Sequence, residues 1–387
     1  MDSIPAFSYV LPTRIEFGRG VSATLPQELE GLQIQRALFV SDAGVAAAGL
    51  LEAPCREARA QLEGFHLFDR VEPNPRAETV QKAAQAALEV KAQAVVAIGG
   101  GSVIDLAKAA CVLVTHGGKI RDYEGRGQVP GAVLPLIAVP TTAGTGSEVT
   151  FSSVITDQEE KIKFSVNSRY LAPRVALLDP DLTLTLPPDL TAGTGMDALT
   201  HAIEGLTATK SNPISDVLAL EAIRLIWRSL RAAYDAGQDI QARSDLLLGS
   251  LLAGMSFCNS DVGGVHCMAE SLGALYDAPH GLANSIFLPH VLEFNAPSIP
   301  GKLKATALAM GLKVGSAEEA SREVVAEIRR LSRHMDIPVL AELGVKEEDL
   351  DRLAHTAWVN GSTDSNPRPA TREDFLELFR KALSEQR

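Results

Sequence analysis

Five consecutive apolar residues, Ala94 to Ile98, run directly into Gly99-Gly100-Gly101-Ser102 and then into a helical stretch from Val103 to Thr115. A strand with one wet face alternates polar and apolar residues. One that is apolar throughout must be covered on both faces, as in a parallel sheet flanked by helices. Parallel neighbours cannot be joined by a tight hairpin, so the surrounding chain must alternate strands with helical crossovers. It does: Arg36 to Asp42, Phe65 to Val71, Leu134 to Val139 and Val175 to Leu178 read as strands, and Ala43 to Leu62 and Arg76 to Val90 as helices. Val149 to Asp157 and Lys163 to Asn167 read as a hairpin-like excursion. The expectation is an α/β domain with a mostly parallel, Rossmann-like sheet.

Beyond Asp179-Pro180 the pattern changes. Pro187-Pro188 reads as a breaker, and after it Leu199–Leu206, Ser215–Tyr234, Ala242–Met255, Val265–Tyr276, Ser285–Phe294, Lys302–Met310, Ala317–His334 and Arg372–Leu383 carry helical spacing. The expected division is an α/β domain over 1–185 and an all-helical domain over 186–387, and 387 residues suit two such cores. The net charge of −12 argues against nucleic acid or an anionic membrane as a partner. Cys55, Cys111, Cys258 and Cys267 form no CxxC pair, as suits a reducing compartment. No basic segment followed by an apolar run opens the chain, and no apolar stretch reaches the roughly 18–20 residues of a membrane span, so a cytoplasmic enzyme is expected.

The turn Gly99 to Ser102 lies between a strand and a helix, where glycines let a diphosphate approach the helix N-terminus. A tight βα turn without ligand is the plain alternative. It is not a clean GxGxxG, and no acidic residue follows some 20 positions later. Asp42, at the end of an earlier strand, can accept from ribose hydroxyls and would repel a 2′-phosphate, which favours NAD over NADP; it can equally cap the following helix. A second turn, Pro140 to Glu148, offers hydroxyls at Thr141, Thr142, Thr145 and Ser147.

A third constellation lies between Gly195 and Gly281. Asp197 and His201 are four apart in a helical segment and so share a face. His266 heads a second such segment with Glu270 four residues on, and His280 stands between Pro279 and Gly281 where a further helix can start. One carboxylate and three imidazoles suit a divalent cation, but the residues alone leave simple surface exposure open.

These motifs together resemble the iron-containing (group III) alcohol dehydrogenases, within the dehydroquinate synthase-like fold. The resemblance spans the chain: Ile15-Glu16-Phe17-Gly18, Ser41-Asp42, Pro73-Asn74-Pro75, Gly99 to Asp105, Pro140 to Thr150, Leu178-Asp179-Pro180, Gly195 to Gly205 and Gly264 to Gly281. It implies a metal, Fe(II) or in some members Zn(II), on Asp197, His201, His266 and His280. It implies NAD contacts at Asp42, Asn74, Gly99, Gly100, Gly101, Ser102, Thr141, Thr142, Ser147 and Lys163. It also implies a small alcohol or aldehyde as substrate and a homo-dimer or larger assembly. Where the family usually has a second histidine beside the nicotinamide, this chain has Glu270, which can accept a proton, face a cationic substrate group or approach the metal. The expected chemistry is reversible alcohol oxidation with Glu270 and His280 at the catalytic centre. The rivals are a lyase-cyclase of the dehydroquinate synthase type and a nucleotide-binding protein without catalysis.

Overall fold

The computed structural model describes residues 6–386. Among the described residues nine strands form two sheets: β1 (Arg14–Phe17), β2 (Arg36–Val40), β3 (Gly64–Phe68), β4 (Ala94–Gly99), β5 (Gly125–Arg126), β6 (Leu136–Pro140), β7 (Ser152–Asp157), β8 (Ile162–Asn167) and β9 (Val175–Leu178). The main sheet has the order β1-β9-β6-β4-β2-β3 with every pairing parallel. Helices α1 (Leu25–Gly31), α2 (Ala43–Ala47), α3 (Glu52–Gln61), α4 (Ala77–Glu89) and α5 (Gly101–His116) accompany it. Period-two alternation decides the two faces. Leu38, Val40, Val95 and Ala97 pack with Val80, Ala83 and Ala87 of α4 and Ile104 and Ala107 of α5. Phe39, Val96, Ile98 and Val139 pack with Leu25 and Leu29 of α1 and Cys55 and Ala58 of α3. The apolar run Ala94 to Ile98 is therefore covered on both sides.

That winding decides where a ligand can sit. The chain leaves β2 towards one face and one edge, through α3 to β3, but leaves β4 towards the other face, through α5 to β6. Adjacent strands whose exits part this way open a crevice at their carboxyl ends. The register Val40↔Ala97 and Gly99↔Pro140 sets Asp42, Gly99 to Ser102 and Thr141-Thr142 along that one edge.

Two expectations need correction. Ala43 to Leu62 is two helices, α2 and α3, because Gly49 takes φ 75 and turns the chain between them. Pro188 starts a helix instead of only breaking one: it is the first residue of α6 (Pro188–Thr207), where its missing N–H costs nothing and its fixed φ suits the first turn. Strand β1, helix α1 and the later helix α13 were not expected as elements. The hairpin excursion is present, as antiparallel β7 and β8 with β5 beside β8.

Beyond α6 follow α7 (Pro213–Asp235), α8 (Ile240–Phe257), α9 (Gly264–Tyr276), α10 (His280–Asn295), α11 (Pro300–Ala309), α12 (Ala317–His334), α13 (Leu350–Trp358) and α14 (Arg372–Ser384). Helix α6 is surrounded by α7, α8 and α10 and is buried almost all round from Gly195 to Thr207. Its polar residues therefore lie in the interior and need partners there. The loop after β6 meets α8 backbone to backbone: a Cβ on Gly146 would lie 2.6 Å from the Gly254 Cα.

Candidate metal centre and nucleotide crevice

Three helices supply the centre. Asp197 and His201 stand one turn apart on α6, His266 lies in the first turn of α9, and His280 is the first residue of α10. One ligand atom from each of the four lies within 4.8 Å of all the others. The Nε2 atoms of His266 and His201 are 2.9 Å apart. The Asn284 amide donates to Asp197 Oδ1 at 2.7 Å and lies 3.2 Å from the Nε2 of both His266 and His280. These acceptors thus already converge on an electropositive group.

Burial lowers His201 to about 4 and His280 to about 3, against the opposing pull of Asp197, so both are neutral imidazoles with lone pairs to offer. Burial tends to raise Asp197, but the three imidazoles and the Asn284 amide outweigh it and hold the carboxyl below its ordinary value. His201 Nδ1 is buried without a hydrogen-bond partner, and its ring stacks on Phe257 with centroids 4.2 Å apart. Burial tends to lower His266 as well, but the Glu204 carboxylate outweighs it and holds this imidazole above its ordinary value. Three imidazole nitrogens and one carboxylate at this spacing fit a four-coordinate divalent cation, Fe(II) or Zn(II).

Glu270 is not drawn into that cluster. Its Oε2 accepts from Asn360 Nδ2 at 2.6 Å. Lys163 Nζ donates to Asn74 Oδ1 at 2.6 Å, Asn74 donates onward to Asp277 at 2.8 Å, and Asn74 takes φ 55. The ammonium of Lys163 rests against α9 at Gly273, where a Cβ would lie 2.7 Å from Nζ and push it aside. Burial lowers the Lys163 pKa, with Glu270, Asp277 and Asp197 opposing.

At the crevice, the Asp42 Oδ1 accepts from Val45 N at 2.9 Å, so this carboxylate does cap α2. Gly99, Gly100 and Gly101 are packed as tightly as the turn allows. Cβ atoms there would meet Val103 at 2.6 Å, Thr142 at 3.2 Å and Thr145 at 2.5 Å. The two polar loops therefore lie directly against each other. Thr141 is buried and Thr142 and Ser102 partly exposed. Ser147 is engaged inwards: its hydroxyl donates to Asp105 Oδ1 at 2.5 Å and accepts from Lys108 Nζ at 2.8 Å.

Several residues escaped the sequence reading. Glu204 lies against His266, with Oε2 2.5 Å from Nδ1. It is three residues after His201 and seven after Asp197, a helical spacing that carried the signal. Asn284 is four after His280 and carried the same one. Lys108 is fully buried and spends its three donors on Ser147, Thr150 Oγ1 (2.9 Å) and Ser152 O (2.9 Å). Burial lowers it to about 8, with Asp105 opposing. His290 lies outside the centre, with Nε2 2.7 Å from Glu385.

A crevice at the carboxyl ends of a parallel sheet and a three-histidine, one-carboxylate cluster suit a metal-dependent, nucleotide-linked enzyme. Residues 12–180 match the family described as iron-containing alcohol dehydrogenase, and residues 191–383 match the Fe-containing alcohol dehydrogenase family, C-terminal. The chain belongs to the iron-containing alcohol dehydrogenase family. It is 40% identical over 383 residues to alcohol dehydrogenase 4 of Saccharomyces cerevisiae, covering 99% of each chain. It is 36% identical over 380 residues to the NAD-dependent methanol dehydrogenase of Bacillus methanolicus, covering 97% of this chain and 100% of that one. A crystal structure of 1,3-propanediol oxidoreductase superposes with a TM-score of 0.94 at 38% identity, over 98% of this chain and 100% of that one.

Proposed function

We propose that this protein is a metal-dependent, NAD(H)-linked alcohol dehydrogenase and aldehyde reductase acting on a small alcohol or diol. The observation that carries the reading is the convergence of Asp197, His201, His266 and His280 on one point, in a chain of this family. In this reading residues 1–185 hold the dinucleotide and residues 186–387 hold the metal through those four side chains. The relative named as NAD-dependent supports NAD as the cofactor, and the similarity to 1,3-propanediol oxidoreductase supports diols within the substrate range.

A divalent ion held by Asp197, His201, His266 and His280 would supply Lewis acidity to an alcohol oxygen, and a bound NAD would supply the hydride acceptor. The protein's own residues do the positioning. Gly99, Gly100, Gly101 and Ser102 lead into the first turn of α5, whose free N–H groups can receive a diphosphate. Asp42 keeps Oδ2 for a ribose hydroxyl while Oδ1 caps α2. Thr141 and Thr142 supply hydroxyls beside that turn, and Ser147 braces their loop. Lys163 and Asn74, bonded to each other, present a cation and an amide next to α9. Glu270, held through Oε2 by Asn360, receives the substrate proton on Oε1, and His280 lies at the more exposed side of the centre. Free, dispersed thiols fit a cytoplasmic enzyme. The sheet edge at β1, with Phe17 exposed, suits pairing with a second copy as a homo-dimer or larger assembly.

The test is NADH formation from a panel of short alcohols and diols. It uses metal-stripped protein refilled anaerobically with Fe(II) or Zn(II), and His280→Ala as control. Metal-dependent turnover that disappears in the variant is expected. Tight binding of metal and NAD with no net NADH from any alcohol would refute the dehydrogenase reading in favour of chemistry without net cofactor reduction.

A further inference from the structure

The three imidazoles of the centre are not equivalent. His201 Nδ1 lies 3.7 Å from Asp197 Oδ1 and makes no hydrogen bond. His266 Nδ1 lies 2.5 Å from Glu204 Oε2, on a carboxylate that is 4% exposed. That same carboxylate accepts Val265 N on Oε1 at 2.8 Å and His266 N on Oε2 at 3.4 Å. Both amides belong to the first turn of α9, whose N–H groups have no partner within the helix and whose N-cap, Gly263, offers no side-chain bond. A Cβ on that glycine would lie 3.1 Å from Glu204 Oε1, closer than ordinary contact.

We propose that Glu204 is a positioning residue for the metal centre: reaching across from α6, its carboxylate caps α9 and locks His266 with the proton on Nδ1 and the Nε2 lone pair turned to the metal. This rests on the reading of Asp197, His201, His266 and His280 as the ligands. The physical effect has three parts. A carboxylate behind an imidazole fixes its tautomer, fixes its ring plane and makes the ligating nitrogen more basic. With Asp197, Glu204 brings a second carboxylate to a site of three imidazoles, a donor set that suits one divalent cation. Because one carboxylate holds both the backbone and the side chain of His266, the first turn of α9 cannot shift without moving a ligand. Asp197, His201 and Glu204 thus act from successive turns of one buried helix, two as ligands and one through its neighbour.

The measurement is metal affinity of the apo protein by competition with a chromophoric chelator, using Zn(II) and Co(II), together with the visible absorption of the Co(II) form. Glu204→Gln keeps the shape and an acceptor for the α9 amides but removes the charge. Its affinity is expected to fall about 10–100-fold, and its Co(II) bands to shift. In a His266→Ala background the same substitution should have little further effect, since the two act as a unit. Glu204→Asp keeps the charge but withdraws it by one methylene, and a clear loss of affinity there supports the proposal even where the glutamine variant does not fold. Affinity within about twofold of wild type for either folded variant, with unchanged Co(II) bands, would reduce Glu204 to a helix cap and overturn the proposal. Wild-type protein that binds neither ion would instead remove the metal centre itself.

Discussion

Gly281 is the position at which the smallest perturbation should do most to the centre. It follows His280 in the first turn of α10, and a Cβ built on it would lie 2.2 Å from the Gly193 carbonyl oxygen, 2.7 Å from its carbon and 3.2 Å from the Asp197 Cβ. The obstacle is backbone of α6, which cannot rotate aside as a side chain could. Ordinary contact begins near 3.4 Å, so Gly281→Ala must part α10 from α6 by about 1 Å. The overpacking costs roughly 1–3 kcal/mol of stability. The same displacement pulls His280 from Asp197, whose ligand atoms are 3.8 Å apart, and a misplacement of about 1 Å at a reacting centre can cost about 100-fold in rate. The assay is chelator competition for Zn(II), thermal unfolding of the apo and metal-loaded protein, and kcat/KM for a diol. Gly301→Ala, in helix α11 with nothing within 4 Å of its Cβ, is the control; it should be neutral or stabilising by about 0.5–1 kcal/mol. A Gly281→Ala protein that melts and binds Zn(II) like the control would refute the steric reasoning.

Glu148 and Lys108 each give a further test beneath the crevice loop. Burial raises the Glu148 carboxyl to about 7, partly opposed by Lys108, and its Oε1 has no partner. A folded-state pKa above the unfolded value of about 4.5 means the native protein binds more protons between those limits, so this contribution is full below pH 4.5 and lost as pH rises through 7. Glu148→Gln should remove that loss, making the variant gain up to about 3 kcal/mol on wild type between pH 4.5 and 8; parallel guanidinium midpoints over that range would contradict it. Lys108→Met leaves Asp105 without its buried cation and strips one partner from Ser147 and Thr150. A loss of about 3–5 kcal/mol in urea unfolding is expected, with KM for NAD rising more than kcat falls; a loss below about 1 kcal/mol would show that the ammonium is not needed there.

Local patterns in the chain were enough for the α/β class and for much of the helical part. Ala94 to Ile98 has no polar face, so it had to be a central parallel strand, and Asp197 with His201 had to share a helix face once that segment was helical. Both are rules about neighbours in sequence, where the backbone period alone decides. The break between α2 and α3 was less legible, because Gly49 acts through a positive φ that a mid-helix glycine does not announce. Strand β1 is not legible locally, because its four residues become a strand only by pairing with β9, more than 150 positions away. Asp42 could be read two ways, and capping of α2 is compatible with a free Oδ2.

What tertiary structure decided is how separated segments meet. Nothing in the order of residues makes His266, 65 positions after His201, put its Nε2 beside it; the packing of α9 and α10 against α6 does. Sequence spacing placed Glu204 on the right face of α6 but could not say that this carboxylate would reach across to the start of α9. Nor could it show that Ser147 would turn inward to Asp105 and Lys108, or that the α6 backbone leaves no room for a side chain at Gly281. Local spacing settled periodicity, the type of most helices and strands, and the inventory of ligating groups, because these follow from near-neighbour geometry. The centre, its polar supports and its tolerances were decided only by three-dimensional packing, because a buried charge is stable only where a partner from elsewhere in the chain is brought to it.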